Sequence, residues 1–213
     1  MVEIQQWGMI PFELALQKQK ALADEIILKR NRNVLVLCQH PTVITIGRNG
    51  SENNLLMSKD FLKSLGIEIV HIDRGGDITL HNPGQLVGYP IFNLSSFKED
   101  LHWFLRKVEI CLIELLSNFG IRSHTIEKMT GVWIDNKRKI AAIGFHCSRW
   151  VTTHGFALNV NNNIKEFDYI VPCGIKNKET TSIEQEIGTN IDFNIVVEKC
   201  IEIFKINFQE EKN

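Results

Sequence analysis

No stretch of this chain is long and apolar enough to cross a bilayer. Its longest apolar runs, such as Val34–Cys38 and Ile140–Ile143, fall far short of the roughly 20 residues that a membrane helix needs. The opening residues, Met1-Val2-Glu3-Ile4-Gln5-Gln6-Trp7-Gly8, have neither the basic start nor the apolar stretch of an export signal, so a cytoplasmic protein with no membrane contact is expected. Charge of one sign is also lacking: 24 Lys and Arg against 25 Asp and Glu leave a net charge of −1. This argues against a broad nucleic-acid binder and leaves room only for local basic patches. The five cysteines, Cys38, Cys111, Cys147, Cys173 and Cys200, form no C-x-x-C pair, and an odd number without an export signal does not make a disulfide framework. Metal-ligand spacing is equally sparse. Its nearest approaches are Cys38-Gln39-His40 and the adjacent His146-Cys147, whose side chains point to opposite faces of a strand, so no metal is expected. Gly75-Gly76 matches neither G-x-G-x-x-G nor the Walker pattern, and no nucleotide cofactor is expected either.

What remains is an ordinary globular composition, 44% hydrophobic and 23% charged over 213 residues, enough for a sizeable core in one domain spanning 1–213. Apolar spacing predicts a helix over Phe12–Lys29 with Pro11 in its first turn, a long one around Ser96–Phe119 capped by Gly120, and a last one over Ile191–Phe208. A shorter helical pattern runs through Asn53–Gly66. Strands are expected at Val34–Cys38, Val43–Ile46, Ile67–Ile72, Asp77–Leu80 and Leu86–Phe92. A β-meander follows over Gly131–Ile134, Lys139–Ser148 and Val151–Val160, its first turn made by Asp135-Asn136-Lys137-Arg138. Strand groups around a long central helix imply an α/β or α+β domain with a mixed sheet.

Three segments carry chemistry. In Arg74-Gly75-Gly76-Asp77-Ile78-Thr79-Leu80-His81-Asn82-Pro83-Gly84-Gln85, paired glycines let backbone amides approach a ligand while Arg74 and His81 add donors; a Gly-rich hairpin turn is the plain alternative. Small residues in Lys139–Gly144 (with Ala142, Ile143 and Gly144) and in His154-Gly155-Phe156-Ala157-Leu158-Asn159 leave an opening suited to an acyl chain, or serve close strand packing. Lys139 reads there either as a functional amine or as a solvated strand end. In Val171-Pro172-Cys173-Gly174-Ile175 the thiol sits at a bend with open access, unlike the four cysteines embedded in apolar patterns.

Together these segments resemble the lipoyl(octanoyl) transferases of lipoate biosynthesis. Arg74–His81 is similar to the family's R-G-G-x-x-T-Y-H-G-P-G-Q signature, Lys139-Ile140 to its catalytic-lysine strand, His154–Asn159 to its H-G-[LF]-A-L-N element and Pro172-Cys173-Gly174 to its P-C-G nucleophile turn. The match runs in order from Leu35 to Ile183. Two departures stand out. Leu80 replaces the usual Tyr, which removes a hydroxyl and changes the pocket, and Asn82 replaces the usual Gly, where Asn tolerates a left-handed backbone.

The resemblance implies a domain with a central mixed sheet flanked by helices, like the catalytic domain of biotin and lipoate ligases. It implies octanoyl transfer from octanoyl-acyl-carrier protein to a lysine of lipoyl domains, in 2-oxoacid dehydrogenase complexes or the glycine cleavage H protein, by a monomer that needs no cofactor. Cys173 is the implied nucleophile and Lys139 its partner. Substrate-binding positions fall at Arg74, Gly75, Gly76, Asp77, Ile78, Thr79, Leu80, His81, Ala142, Ile143, Gly144, His154, Gly155, Phe156 and Ala157. Leu80, Ile143, Phe156 and Leu158 are the expected channel walls. Backbone amides near Gly174 and Gly75-Gly76 are expected oxyanion donors, while His81 and His154 either polarise the site or brace it. An acidic carrier protein would be met by Lys137-Arg138, Arg149, Arg48 and Lys128, or these form merely solvated turns. An ATP-dependent lipoate ligase and a non-catalytic carrier-binding protein are the rival readings.

Overall fold

Each helix of the molecule is bounded by residues suited to end it. In the computed structural model, which describes residues 2–30, 32–172 and 178–209, α1 spans Phe12–Lys29 behind Pro11 and closes on left-handed Arg30, whose N–H bonds to Ile26 O at 2.8 Å. Its buried face, Phe12, Ala15, Gln19, Leu22, Ala23 and Ile26, follows helical spacing. α2 is only Lys59–Ser64, started by the Ser58 cap. α3 runs over Leu101–Ser117, later than the apolar spacing begins, because the Asp100 carboxylate accepts from the Trp103 N–H at 2.9 Å and fixes the first turn there. Gly120 ends it in a left-handed conformation, with Gly120 N–H bonded to Ser117 O and Ile121 N–H to Leu116 O. α4 is Ile183–Ile187, and α5, Phe193–Asn207, starts at Asp192.

The strands form two sheets. The larger takes β1 (Val2–Met9), β2 (Asn33–Gln39), β6 (Gln85–Ile91), β10 (Val151–Asn159), β9 (Arg138–Ser148), β8 (Met129–Trp133) and β7 (His124–Ile126) in that order, with the short β11 (Glu179–Thr180) beside β9. β1 runs parallel to β2, β11 runs parallel to β9, and the other pairs are antiparallel, so the sheet is mixed. The smaller sheet orders β4 (Glu68–His71), β3 (Val43–Ile46) and β5 (Ile78–His81). α3 and α5 cover one face of the large sheet over a core that includes Phe92, Phe104, Phe156, Phe204 and Phe208. α1 covers part of the other face over Val34, Val36, Val87, Tyr89 and Ala157. The small sheet keeps its own core of Ile44, Ile46, Leu62, Ile78 and Leu80, joined by Phe167 and Ile170.

The β8–β9–β10 meander is as expected, and its first turn is an Asx turn in which the Asp135 carboxylate accepts from the Lys137 and Arg138 N–H groups at 2.7 and 2.8 Å. β1 alternates apolar and polar only over Val2–Gln5, too short a run to mark a strand by itself, and its register slips between Gln6 and Gly8. A second irregularity matters more. Val132 pairs with Ala141 but Trp133 pairs with Lys139, so β9 has one residue too many there. Ile140 and Ala141 consequently both belong to the core beneath α3, and Lys139 is turned towards the other face. Replacing Asp100 by Ala is expected to lower stability by about 1 kcal/mol through loss of the α3 cap, measured as a reduced urea midpoint with an unchanged slope.

Candidate active site

Strand alternation builds a cavity of about 230 Å³ between the two sheets. Its floor is the large-sheet face carrying Val87 and Tyr89 from β6, Gly155 and Ala157 from β10, and Ala142 and Gly144 from β9. The registers Ala157↔Ala142 and Gly155↔Gly144 set the small residues side by side, and that is what leaves room above them. Thr79 and His81 of β5 form the roof, and Phe12 comes from the start of α1. Ile72, Lys128, Met129, Thr130 and Lys139 also contribute to the lining.

The Arg74–Asp77 loop is sewn to its surroundings by main-chain contacts. Gly75 N–H donates to Phe145 O at 2.9 Å, and a β-carbon on Gly144 would sit 2.6 Å from the Gly75 carbonyl oxygen, so β9 approaches the loop as only a glycine allows. Gly47 N–H bonds to Asp77 O and Arg48 N–H to Arg74 O. The buried Arg74 guanidinium donates to Thr45 O at 2.8 Å and Thr45 Oγ1 at 3.0 Å, tying loop to small sheet. The Asp77 carboxylate accepts from Ser51 N–H and Asn54 Nδ2. The Gly75 N–H, one of the expected oxyanion donors, is thus already bonded to a strand carbonyl.

Burial keeps His40 and His81 neutral. His81 Nδ1 donates to Gln85 Oε1 at 2.8 Å, while Gln85 Nε2 donates to Leu80 O and Asn159 Oδ1. Burial, with the charges of His40 and Arg74 acting in the same direction, pushes His81 down to about 3. His40 donates from Nδ1 to Ile10 O and accepts the Tyr89 hydroxyl proton at Nε2, both at 2.7 Å. Burial takes His40 to about 4. His154 holds a left-handed backbone (φ 60°), its N–H bonded to Gln19 Oε1 at 3.0 Å. Its Nε2 donates to Asp73 Oδ1 at 2.7 Å; burial still lowers His154 overall against that carboxylate. Arg48 reaches Nδ1 of His146 and the Asp73 carbonyl, closing a polar network at the rim. His81 and His154 therefore both line the cavity and brace it.

Lys139 is buried, and its Nζ stands 4.9 Å from the Trp133 ring centroid. Thr180 pairs with it in β11, and Thr181 N–H bonds to Lys139 O at 2.9 Å. A smaller cavity is lined by both Lys139 and Pro172. The residues on either side of 173–177 thus border Lys139; Cys173 itself lies outside the described residues. The other thiols suit inert roles. Cys38, Cys111 and Cys200 are buried, and burial pushes all three upward, Cys111 to about 12. Cys147 is half-buried and also raised.

Of the expected binding residues, Arg74, Gly76, Asp77, Ile78, Thr79 and His81 border the main cavity, as do Ala142, Ile143, Gly144, His154, Gly155, Phe156 and Ala157. Gly75 and Leu80 do not. Side chains on a strand alternate in direction, and this corrects the wall assignment at Leu80 and Leu158. Leu80 points into the core of the small sheet, away from the roof residues Thr79 and His81. Leu158 is buried beneath α3 and α5, and the Phe156 ring stacks on Phe204, centroids 5.5 Å apart. Ile143 packs against that same core. Leu80 in place of Tyr therefore alters the small-sheet core and not the channel wall. Asn82 has no left-handed backbone. It is a hydrogen-bond hub, donating to Asn163 O and Glu166 Oε2 and accepting from Asn162 Nδ2, and the left-handed residue of that turn is Gly84. Arg138 leaves the basic patch, because Asp135 and Glu186 neutralise it at 2.9 and 2.6 Å. The motifs do not point to Phe12, Ile72, Val87, Tyr89, Met129 or Thr130 as lining residues; once β6 is registered against β10, alternation identifies Val87 and Tyr89.

A mostly apolar cavity roofed by a second sheet, with a buried lysine at its border, gives this α+β domain a pocket whose shape suits an apolar chain. The chain belongs to the lipoyl protein ligase A/B catalytic domain family, whose model matches residues 11–205. The octanoyltransferase of Clostridium kluyveri is 43% identical over 203 residues, covering 95% of this chain and 86% of that protein. The octanoyltransferase of Caldicellulosiruptor bescii is 44% identical over 208 residues, covering 97% and 91%. In fold the chain is similar to the bipartite lipoate protein ligase of Thermoplasma acidophilum (TM-score 0.73, 16% identity, 99% of this chain and 87% of that one). It is also similar to the Aquifex aeolicus biotin protein ligase in complex with biotin and ATP (TM-score 0.56, 15% identity, 100% and 72%).

The buried neutral histidines give stability a defined pH slope. Between about pH 6.5 and 4 the unfolded chain takes up protons that native His40 and His81 refuse, so stability falls as pH falls through this window. Urea midpoints measured from pH 7 to 4.5 are expected to decline, and His40→Gln is expected to flatten the decline by up to about 1.4 kcal/mol per pH unit.

Proposed function

We propose that this chain moves an octanoyl group from octanoyl-acyl-carrier protein to a specific lysine of a lipoyl domain through an acyl-Cys173 thioester, within one catalytic domain. Octanoyl transfer in lipoylation rests on the octanoyltransferase relatives at 43% and 44% identity over nearly the whole chain, and on family membership. The cysteine–lysine mechanism is carried by one observation: Pro172 shares a cavity with Lys139, and Thr180 pairs with Lys139 along the strand, so the described chain on both sides of Cys173 comes to Lys139.

The chemistry follows from the side chains. An isolated thiol titrates near pH 8.5 and is only a few per cent ionised at neutrality, whereas a neighbouring ammonium favours the thiolate. The Cys173 thiolate adds to the thioester carbonyl, the carbon–sulfur bond to the carrier breaks, and Lys139 gives its proton to the leaving thiolate. The acceptor amine, having lost its ammonium proton to solvent, then attacks the acyl-enzyme. Lys139 takes the proton released as the amide forms, and the Cys173 carbon–sulfur bond breaks to restore the starting thiolate and ammonium. A thioester exchanged for an amide is downhill, so no nucleotide is consumed. The floor of Ala142, Gly144, Gly155 and Ala157 holds the chain away from water while the thioester persists. Exposed Lys128 borders the cavity, with Glu127 3.8 Å from its ammonium, and Arg48 and Arg149 are further exposed basic groups for an acidic carrier.

Incubation with octanoyl-carrier protein without ATP is expected to add the mass of one octanoyl group. That gain should vanish in Cys173→Ser, and Lys139→Ala should slow its formation about 100-fold. A gain that needs ATP, or one that persists in Cys173→Ser, overturns the reading. Ala157→Leu fills the floor and is expected to lower kcat/KM for octanoyl donors about 10-fold while sparing butanoyl donors, as a comparison of the two donor lengths would show.

A further inference from the structure

We infer that Glu109 of α3 is a positioning residue for Lys139, acting through Gly131 of β8; the inference rests on the catalytic role proposed for Lys139. Glu109 is completely buried, although its neighbours on α3, Val108, Cys111 and Leu112, belong to an apolar core. A carboxylate in such surroundings carries a desolvation cost that an apolar residue would avoid, so its presence points to a specific bond. That bond is to the backbone: Glu109 Oε1 accepts from the Gly131 N–H at 2.9 Å, while Oε2 accepts from Arg106 Nη1 at 2.5 Å.

Gly131 is where the Lys139 side chain rests. A β-carbon built there, in a backbone with φ 124°, would stand 2.7 Å from Lys139 Cε and 3.2 Å from its Nζ. Two residues on, Trp133 lies under the same ammonium. Pairing slips beside this point on both edges of β8, between His124 and Ile126 on one side and between Val132 and Trp133 on the other. A strand with a broken ladder on both edges is poorly fixed by its neighbours. Glu109 supplies the fixing from the helix below, and so sets the height of the surface across which Lys139 extends. A shift of about 1 Å in a proton-transfer group is enough to cost about 100-fold in rate.

The test uses the full chain with octanoyl-carrier protein and a lipoyl domain, with Glu109→Gln and Glu109→Leu made in the wild type and in Lys139→Ala. In the wild type, Glu109→Leu is expected to lower kcat about 100-fold with KM nearly unchanged and to displace the pH profile of kcat. Glu109→Gln, which keeps an acceptor oxygen, should restore most of the rate. On the Lys139→Ala background Glu109→Leu should remove little more, because the group it positions is gone. Equal losses on both backgrounds, tracking the thermal midpoint, would mean a merely structural role and overturn the inference. If Glu109→Leu does not fold, Glu109→Asp, whose shorter arm cannot reach Gly131 unless the helix moves, carries the same comparison. Lys139→Ala without effect overturns the catalytic reading itself; Lys139→Ala impaired with Glu109→Leu unimpaired overturns only the part assigned to Glu109.

Discussion

The site depends on one surplus residue in β9. With regular alternation, Lys139 would point the same way as Ala141, into the core beneath α3, where an ammonium has no place. The slip against β8 puts Ile140 and Ala141 on the core side together and turns Lys139 to the cavity face. Beyond it regular alternation resumes, so Ala142 and Gly144 form the cavity floor while Ile143 and Phe145 keep to the core. A single irregularity thus delivers a charged end and an apolar floor from one continuous strand.

The second constraint is the absence of side chains where two layers meet. A β-carbon on Gly144 would sit 2.6 Å from the Gly75 carbonyl oxygen, so main chain lies against main chain there. The Arg74–Asp77 loop can therefore cap the large sheet while Thr79 and His81 hang over the small-residue floor. Polar atoms brought inside by this arrangement are answered individually: Gln85 serves His81 and Asn159, Tyr89 serves His40, and Gln19 serves the His154 amide.

Much of this was legible in the sequence, and the parts that were not have identifiable causes. α1 is as expected because its apolar spacing and its terminal residues agree. α3 begins later than its apolar spacing because Asp100, a local cap, outweighs the periodicity upstream. The Arg74–His81 and His154–Asn159 segments are brought to one cavity, as the motifs suggested. Which face of each strand looks inward was the weak point. Leu80, Ile143, Phe156 and Leu158 are apolar, like the walls of an acyl channel; Ile143 and Phe156 do border the cavity, whereas Leu80 and Leu158 lie wholly in the cores. The reason is that a cavity needs small residues where a core needs large ones, and both are apolar in composition. The bulge in β9 leaves no mark in the sequence, since Lys139-Ile140-Ala141-Ala142 reads equally well as a regular strand.

The pairing of Thr180 with Lys139 and the bond from Gln19 to His154 join residues 41 and 135 positions apart. Contacts between such distant positions form slowly, because long loops must close before the pairing rewards them. A partly folded chain can have its helices while still lacking the strand beside Lys139 and the clasp on His154. The border of Lys139 and the seat of His154 are therefore completed only when those long loops close, and a half-folded polypeptide has no finished cavity to offer.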